Sequence, residues 1–429
     1  LAPALELGAP GAELALYRGS AALGGTDLGE VRVWLAMRRS LRVKWRAASP
    51  PAGLVELGRS ELVIDHPQLG AVSVPVDVLS SDASGTVPGS GLGGPDGIEY
   101  VRIQWVNLPS IHRSEAVEDE RGSWLGRWRV ESCGWHLTID ERRDLAEAKT
   151  LADELDEQYL VTHVGDLRRA DGAPFDAATA TDVLFAWQLA MSFALGRWVA
   201  PAVPVGFDAC GRVWEQWAPW RCDVLRGSPS WWDTHTADDL ADFVRAFLRA
   251  FLDPGRRDEV RLTAMHAISA NHSGTTAEAK VMLAQAGLEY LGWVRLVLSG
   301  RTPRDRYKAM SAAERLRILI ADAGIPVDVP DGLPGLVDLA ASKGLDGPSA
   351  AAWVRNRLVH PKDPGEPYRI EGLVWQAAEL LLEYSELLLL QGLGYQGRFL
   401  RRYPPYRWAH DSQLVPWAGR CGPSSGTDP

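Results

Sequence analysis

The residues best suited to chemistry lie in Trp353–Pro361, W-V-R-N-R-L-V-H-P. There Arg355, Asn356 and His360 bring a permanent cation, an amide and a titratable imidazole into a short span. Arginine stays charged and can fork two hydrogen bonds onto a phosphate, while histidine gives or takes a proton near neutrality. A guanidinium and an imidazole at one phosphodiester suit attack by the neighbouring ribose 2′-hydroxyl on phosphorus. The imidazole then serves as acid or base, and the guanidinium stabilises charge on the phosphoryl oxygens. Such chemistry requires RNA, because DNA lacks the hydroxyl.

The elements around these residues must bring them together. A helix is predicted from Ser349 to the proline, since Pro361 biases His360 out of the α region. Five steps of an ideal helix rotate the chain by ~500°, which leaves the Arg355 and His360 directions ~140° apart. Convergence therefore depends on uncoiling at the proline. The same residues also fit a solvated helix end, where cations complement the dipole and Asn356 merely caps. Glu289 lies on the face of Met282, Gln285, Ala286 and Trp293. It is a candidate partner for Arg355, with solvent as its alternative. Lys362 is a candidate phosphate contact or a solvated loop lysine, and His163, His266 and His272 are expected to be structural.

R-N-R-L-V-H, read as Arg-polar-x-x-x-His before the last helix of an all-α region, resembles the signature of the HEPN superfamily of helical ribonucleases. The stretch E-A-K-V-M-L-A-Q-A-G-L-E-Y-L-G-W from Glu278 is similar to the first core helix of its ApeA-like branch, and the likeness covers roughly Arg261 to Tyr403. T-H-V-G-D-L-R-R-A-D-G-A-P-F from Thr162 and S-F-A-L-G-R-W-V from Ser192 are similar to the N-terminal domain of ApeA-like proteins. The resemblance implies a helical bundle that forms a homodimer, so that Arg355, Asn356 and His360 of both copies build one catalytic site. It implies a metal-independent endoribonuclease without a cofactor, leaving a 2′,3′-cyclic phosphate and a 5′-hydroxyl. It further implies a bacterial anti-phage defence effector of the abortive-infection kind, with tRNA among its candidate RNA substrates and an unknown trigger bound by the N-terminal domain. HEPN members also include non-catalytic binding proteins, so a dimeric scaffold or sensor is the alternative.

The 429-residue chain is long enough for two or three domains. Its apolar content of 46% and charged content of 23% are those of a globular protein rather than a disordered one. A formal charge of −10 argues against broad coating of nucleic acid and leaves room only for a local basic site. Cys133, Cys210, Cys222 and Cys421 are too scattered for a disulfide framework, and no histidines join them at zinc spacing. No metal and a cytoplasmic location are therefore expected. The first eleven residues lack a basic segment and an apolar core, so a signal peptide is not expected there. The apolar runs Val183–Gly196 and Leu380–Leu390 fall short of the ~20 residues of a membrane span and are expected to be buried helices.

Short β-forming runs begin at Val31, Glu61, Ala71, Tyr100 and Trp128, with alternation clearest at Val72, Val74, Val76 and Val78. They predict an α+β multidomain protein whose residues 1–165 form a β-sandwich-like domain, with Ser81–Gly97 as a flexible hairpin or loop. Residues 166–254 are expected to be an α-rich connector with helices at Ala146–Glu157, just before it, and Asp176–Gly196, and a hairpin at Ala202–Val213. Residues 255–403 are expected to be the all-α HEPN-like bundle. Residues 404–429 form a tail, with Tyr406, Trp408 and Trp417 as candidate anchors. Trp214, Trp217, Trp220, Trp231 and Trp232 could stack bases but are better read as core.

Overall fold

The computed structural model describes residues 1–49, 56–112, 115–120, 122–225, 230–404 and 411–419. Tyr406 and Trp408 lie outside them. By compactness the chain divides into two units, one of Leu1–Gln188 with Trp198–Arg226, the other of Leu189–Arg197 with Gly227–Pro429. The first is β-rich and the second helical, so the chain is a mixed α/β protein with its strands concentrated towards the N-terminus.

In the first unit, β1 (Leu14–Leu23), β2 (Thr26–Ala36), β3 (Arg42–Ala47), β4 (Gly58–His66), β5 (Gly70–Ser80) and β6 (Ser84–Thr86) form a closed barrel in the order β1-β2-β3-β6-β5-β4. Period-two burial explains the strands: Val43, Trp45 and Ala47 point inward while Arg42, Lys44 and Arg46 point out. Closure replaces the expected sandwich. Register shifts between Ala15 and Tyr17 and between Ser20 and Ala22 bend β1, whose end stays paired with β2 on one edge while Ala21–Leu23 pair with β4 on the other.

A second sheet holds β7 (Ser90–Gly93), β8 (Tyr100–Val106), β9 (Glu115–Asp119), β10 (Gly122–Ser132), β11 (Trp135–Glu141), β12 (Val161–Arg169), β13 (Ala200–Asp208) and β14 (Gly211–Trp217). Its order is β7-β14-β13-β8-β12-β11-β10-β9, which leaves β7 and β9 at the edges. The run from Trp128 to Asp140 is two strands, because Cys133 (φ 52°) and Gly134 (φ 77°) turn the chain left-handedly into a tight hairpin. Ser81–Gly97, expected as a hairpin or loop, contributes β6 and β7. Val106, Val161, Ala200 and Trp217 of this sheet join the barrel interior in one core.

The helices are α1 (Leu145–Glu154), α2 (Ala177–Leu195), α3 (Ala237–Leu252), α4 (Arg257–Asn271), α5 (Ala277–Gly292), α6 (Arg304–Ala309), α7 (Ala312–Asp322), α8 (Pro334–Lys343), α9 (Gly347–Val359) and α10 (Leu373–Leu393). A π-helical turn, Trp293–Leu298, extends α5, and β15 (Arg398–Phe399) pairs with β16 (Gln413–Leu414). Local chemistry sets several ends: Ser311 and Glu314 close a full capping box on α7, and Asp346 caps α9 by accepting from the Ser349 amide at 2.9 Å. Leu373, Ala377, Leu380, Leu381 and Leu388 of α10 are buried. A Cβ at Gly392 would meet Nη2 of Arg295 at 1.8 Å, so a side chain there would displace the guanidinium that pairs with Glu259. Trp214 and Trp217 are buried in the first unit and Trp231 and Trp232 in the second, which removes them as base-stacking platforms. Two helical stretches, Ala177–Leu195 and Ala277–Leu298, could cross a membrane by length and composition alone, a test that buried core helices also pass.

Candidate functional site

Ala350, Ala351 and Val354 anchor α9 with fully buried side chains. Its last turn carries Arg355, half-buried, and Asn356, exposed, and His360 follows at the cap, also exposed. The helix opens at His360 (φ −127°, ψ 64°), whose amide still donates to the Asn356 carbonyl at 2.8 Å. Arg355 Nη1 donates to Asn356 Oδ1 at 3.2 Å, and its buried Nε has no hydrogen-bond partner. Arg355 and Asn356 are thus joined directly, whereas the His360 ring meets neither through a hydrogen bond among the described residues.

Neighbouring charges are spoken for elsewhere. Arg357 lies 2.8 Å from Glu366 and stacks over Trp353, 5.0 Å from its ring centre. Glu289 accepts from Gln285 Nε2 at 3.2 Å, one helical turn back on α5, and forms no ion pair with Arg355. Lys362 is exposed. Arg355 is consequently a cation without a carboxylate partner among the described residues, at a helix end that also carries an imidazole open to solvent.

A second constellation, absent from the sequence reading, is sealed inside the helical unit. Arg402 Nε donates to Glu379 at 3.1 Å, Nη1 to Glu386 at 2.6 Å, and Nη2 to Asn271. The Arg402 amide donates to Glu383 at 3.0 Å, and the Tyr403 hydroxyl donates to the same carboxylate. Glu379, Glu383 and Glu386 recur at helical spacing on α10, the one signal that could have announced a buried acidic stripe. Burial works against a charged Arg402, but the glutamates outweigh it and hold the guanidinium protonated. Each side chain has a partner in the cluster, with one buried oxygen of Glu386 left unbonded, so the cluster is an internal tie for the chain after α10.

Burial pushes the Glu386 carboxyl up to about 7 against the pull of Arg402. A carboxyl raised on folding stabilises fully below its unfolded value and loses that contribution as pH climbs through the folded one. Glu386→Gln is therefore expected to flatten the fall in melting temperature between about pH 4.5 and 7 relative to the parent. Parallel thermal melts across that range check it, and an unchanged slope would refute the assignment.

In the first unit His66 accepts from the Gln68 and Leu69 amides through Nδ1, so its Nε2 carries the proton that faces Glu215 at 3.3 Å. Arg212 and Trp217 complete the ring around this fully buried carboxylate. His163 is buried as well, and desolvation pushes its imidazole down to about 3, so it is neutral at physiological pH. His266 Nδ1 lies 2.8 Å from the Leu262 carbonyl, and His272 Nδ1 accepts from the Gly274 amide. Among the described residues, no group of three or more His, Cys, Asp or Glu is arranged to hold a metal ion.

Residues 94–228 match the family model of the YopA central domain, and residues 258–413, which contain α9, match that of the YopA C-terminal domain. No solved structure matches the chain. Over 334 residues, 75% of this chain and 72% of the relative, the protein is 27% identical to the SPbeta prophage-derived uncharacterized protein YopA of Bacillus subtilis (strain 168).

Proposed function

We propose that the end of α9 is a metal-independent, HEPN-type endoribonuclease site, completed by a second copy of the helical unit. One imidazole takes the proton of the ribose 2′-hydroxyl as its oxygen bonds to phosphorus. The other protonates the departing 5′-oxygen, leaving a 2′,3′-cyclic phosphate and a 5′-hydroxyl. Arg355 lies on the phosphoryl oxygens, and Asn356 holds its fork through the 3.2 Å hydrogen bond. The observation that carries this reading is the Arg355 guanidinium, without a carboxylate partner among the described residues, at the same helix end as the solvent-facing His360. In this reading the protein works in the cytoplasm as a bacterial defence effector, and the β-rich unit takes the trigger. The prophage origin of the similar YopA protein supports a setting of conflict between phage and host.

The openness of the site favours a second reading, a non-catalytic dimeric scaffold, because Asn356 and His360 are exposed rather than set in a closed cleft. One experiment separates the two. Excess protein is incubated with end-labelled RNA in chelator. Nuclease action predicts fragments ending in cyclic phosphate, whereas intact RNA after long incubation leaves only the scaffold.

A further inference from the structure

The outer wall of the barrel carries an arrangement that neither stability nor the α9 chemistry explains. In the register of β1, β2 and β3, Arg18 stands directly opposite Arg32, and Arg32 directly opposite Arg46. Like charges facing one another across a sheet are destabilising, so three arginines in a row cost stability. Each has an acidic neighbour: Arg18 meets Glu30, Arg32 meets Glu13 at 3.2 Å, and Arg46 meets Asp82 at 2.7 Å. The three arginine side chains are 79%, 54% and 56% exposed, and ion pairs so open to water return little. They are also easily exchanged for a better anion.

The row lies in a concavity of about 610 Å³, within the size range of small-ligand sites. The register shifts on either side of Arg18 curve β1 around it. Arg32 rests 4.1 Å over the buried Trp34 ring, which fixes the central guanidinium in place. Adjacent strands are ~4.8 Å apart, so the row spans about 10 Å, a length that suits a chain of linked phosphates. We propose that this face binds a nucleoside polyphosphate. The phosphates would lie along Arg18, Arg32 and Arg46, and Glu13, Glu30 and Asp82 would accept from ribose hydroxyls and base amino groups. The matched carboxylates disfavour a long nucleic-acid strand, whose further phosphates they would repel.

The test is calorimetric titration of the full chain with ATP, with inorganic triphosphate and with a short oligouridylate. The parent is compared with an Arg18→Gln/Arg46→Gln variant, which leaves the Arg32 stack intact and whose melting curve reports folding. The expected result is saturable binding of ATP, weaker binding of triphosphate, and a loss of affinity of at least about tenfold in the variant. No binding of ATP or triphosphate, equal affinity in the two proteins, or binding of the oligouridylate alone would overturn the proposal. Because the site lies on the barrel, an inactive α9 would leave this outcome unchanged.

Discussion

Replacing His360 by alanine is expected to lower single-turnover RNA cleavage by roughly 10²–10⁴-fold, the usual contribution of a positioned acid or base. The ring is exposed, makes no hydrogen bond among the described residues and follows the last helical residue. Its loss should therefore change stability by no more than about 0.5 kcal/mol. Arg355→Lys is the companion change. It keeps the charge and removes the planar fork, so it should also cut the rate while the α9 fold persists. Undiminished cleavage by the His360 variant, with matching melting curves, would remove the proposed site.

Replacing Arg402 by alanine should be the most damaging single change to the helical unit. It would leave Glu379 and Glu386 facing one another in the interior without their shared cation, and Asn271 without its donor. Removing one partner of a buried ion pair typically costs 3–5 kcal/mol, because the remaining charge is stranded away from water. For a unit of this size that corresponds to a drop of roughly 10 °C in melting temperature. Combining Arg402→Met with Gln at Glu379 and Glu386 should recover much of the loss, since a neutral packed interior no longer has charge to strand. Urea unfolding of the three proteins measures this. An Arg402→Ala variant within 1 kcal/mol of the parent would show that the cluster holds nothing together.

These effects mark what the amino-acid pattern made legible. Long apolar runs emerge close to their expected bounds: Asp176–Gly196 becomes α2 over Ala177–Leu195, and the apolar run in α10 is buried as expected. The Arg355, Asn356 and His360 types and their place at a helix end were readable, because Pro361 dictates where α9 must stop. Whether His360 turns towards them was not readable, since that depends on torsions after the last helical turn, and its ring hydrogen-bonds to neither. Of the two alternatives for Glu289, the pairing with Arg355 does not form, and the carboxylate accepts instead from Gln285, one turn away on the same helix. Closure of the barrel was hidden for a similar reason: it is decided by two register shifts in β1 and by pairing with a strand some forty residues later. The Arg402 cluster joins residues 131 positions apart, a separation that no local spacing rule spans.

The outermost strand of the eight-stranded sheet, β9, has one further consequence. It reads Glu-Ala-Val-Glu-Asp, with only Val117 buried. An unpaired edge invites strands from other molecules to add on, the first step towards aggregation. A chain approaching here would bring its backbone against Glu115, Glu118 and Asp119, charged side chains of the kind that discourage one sheet border from adding to another.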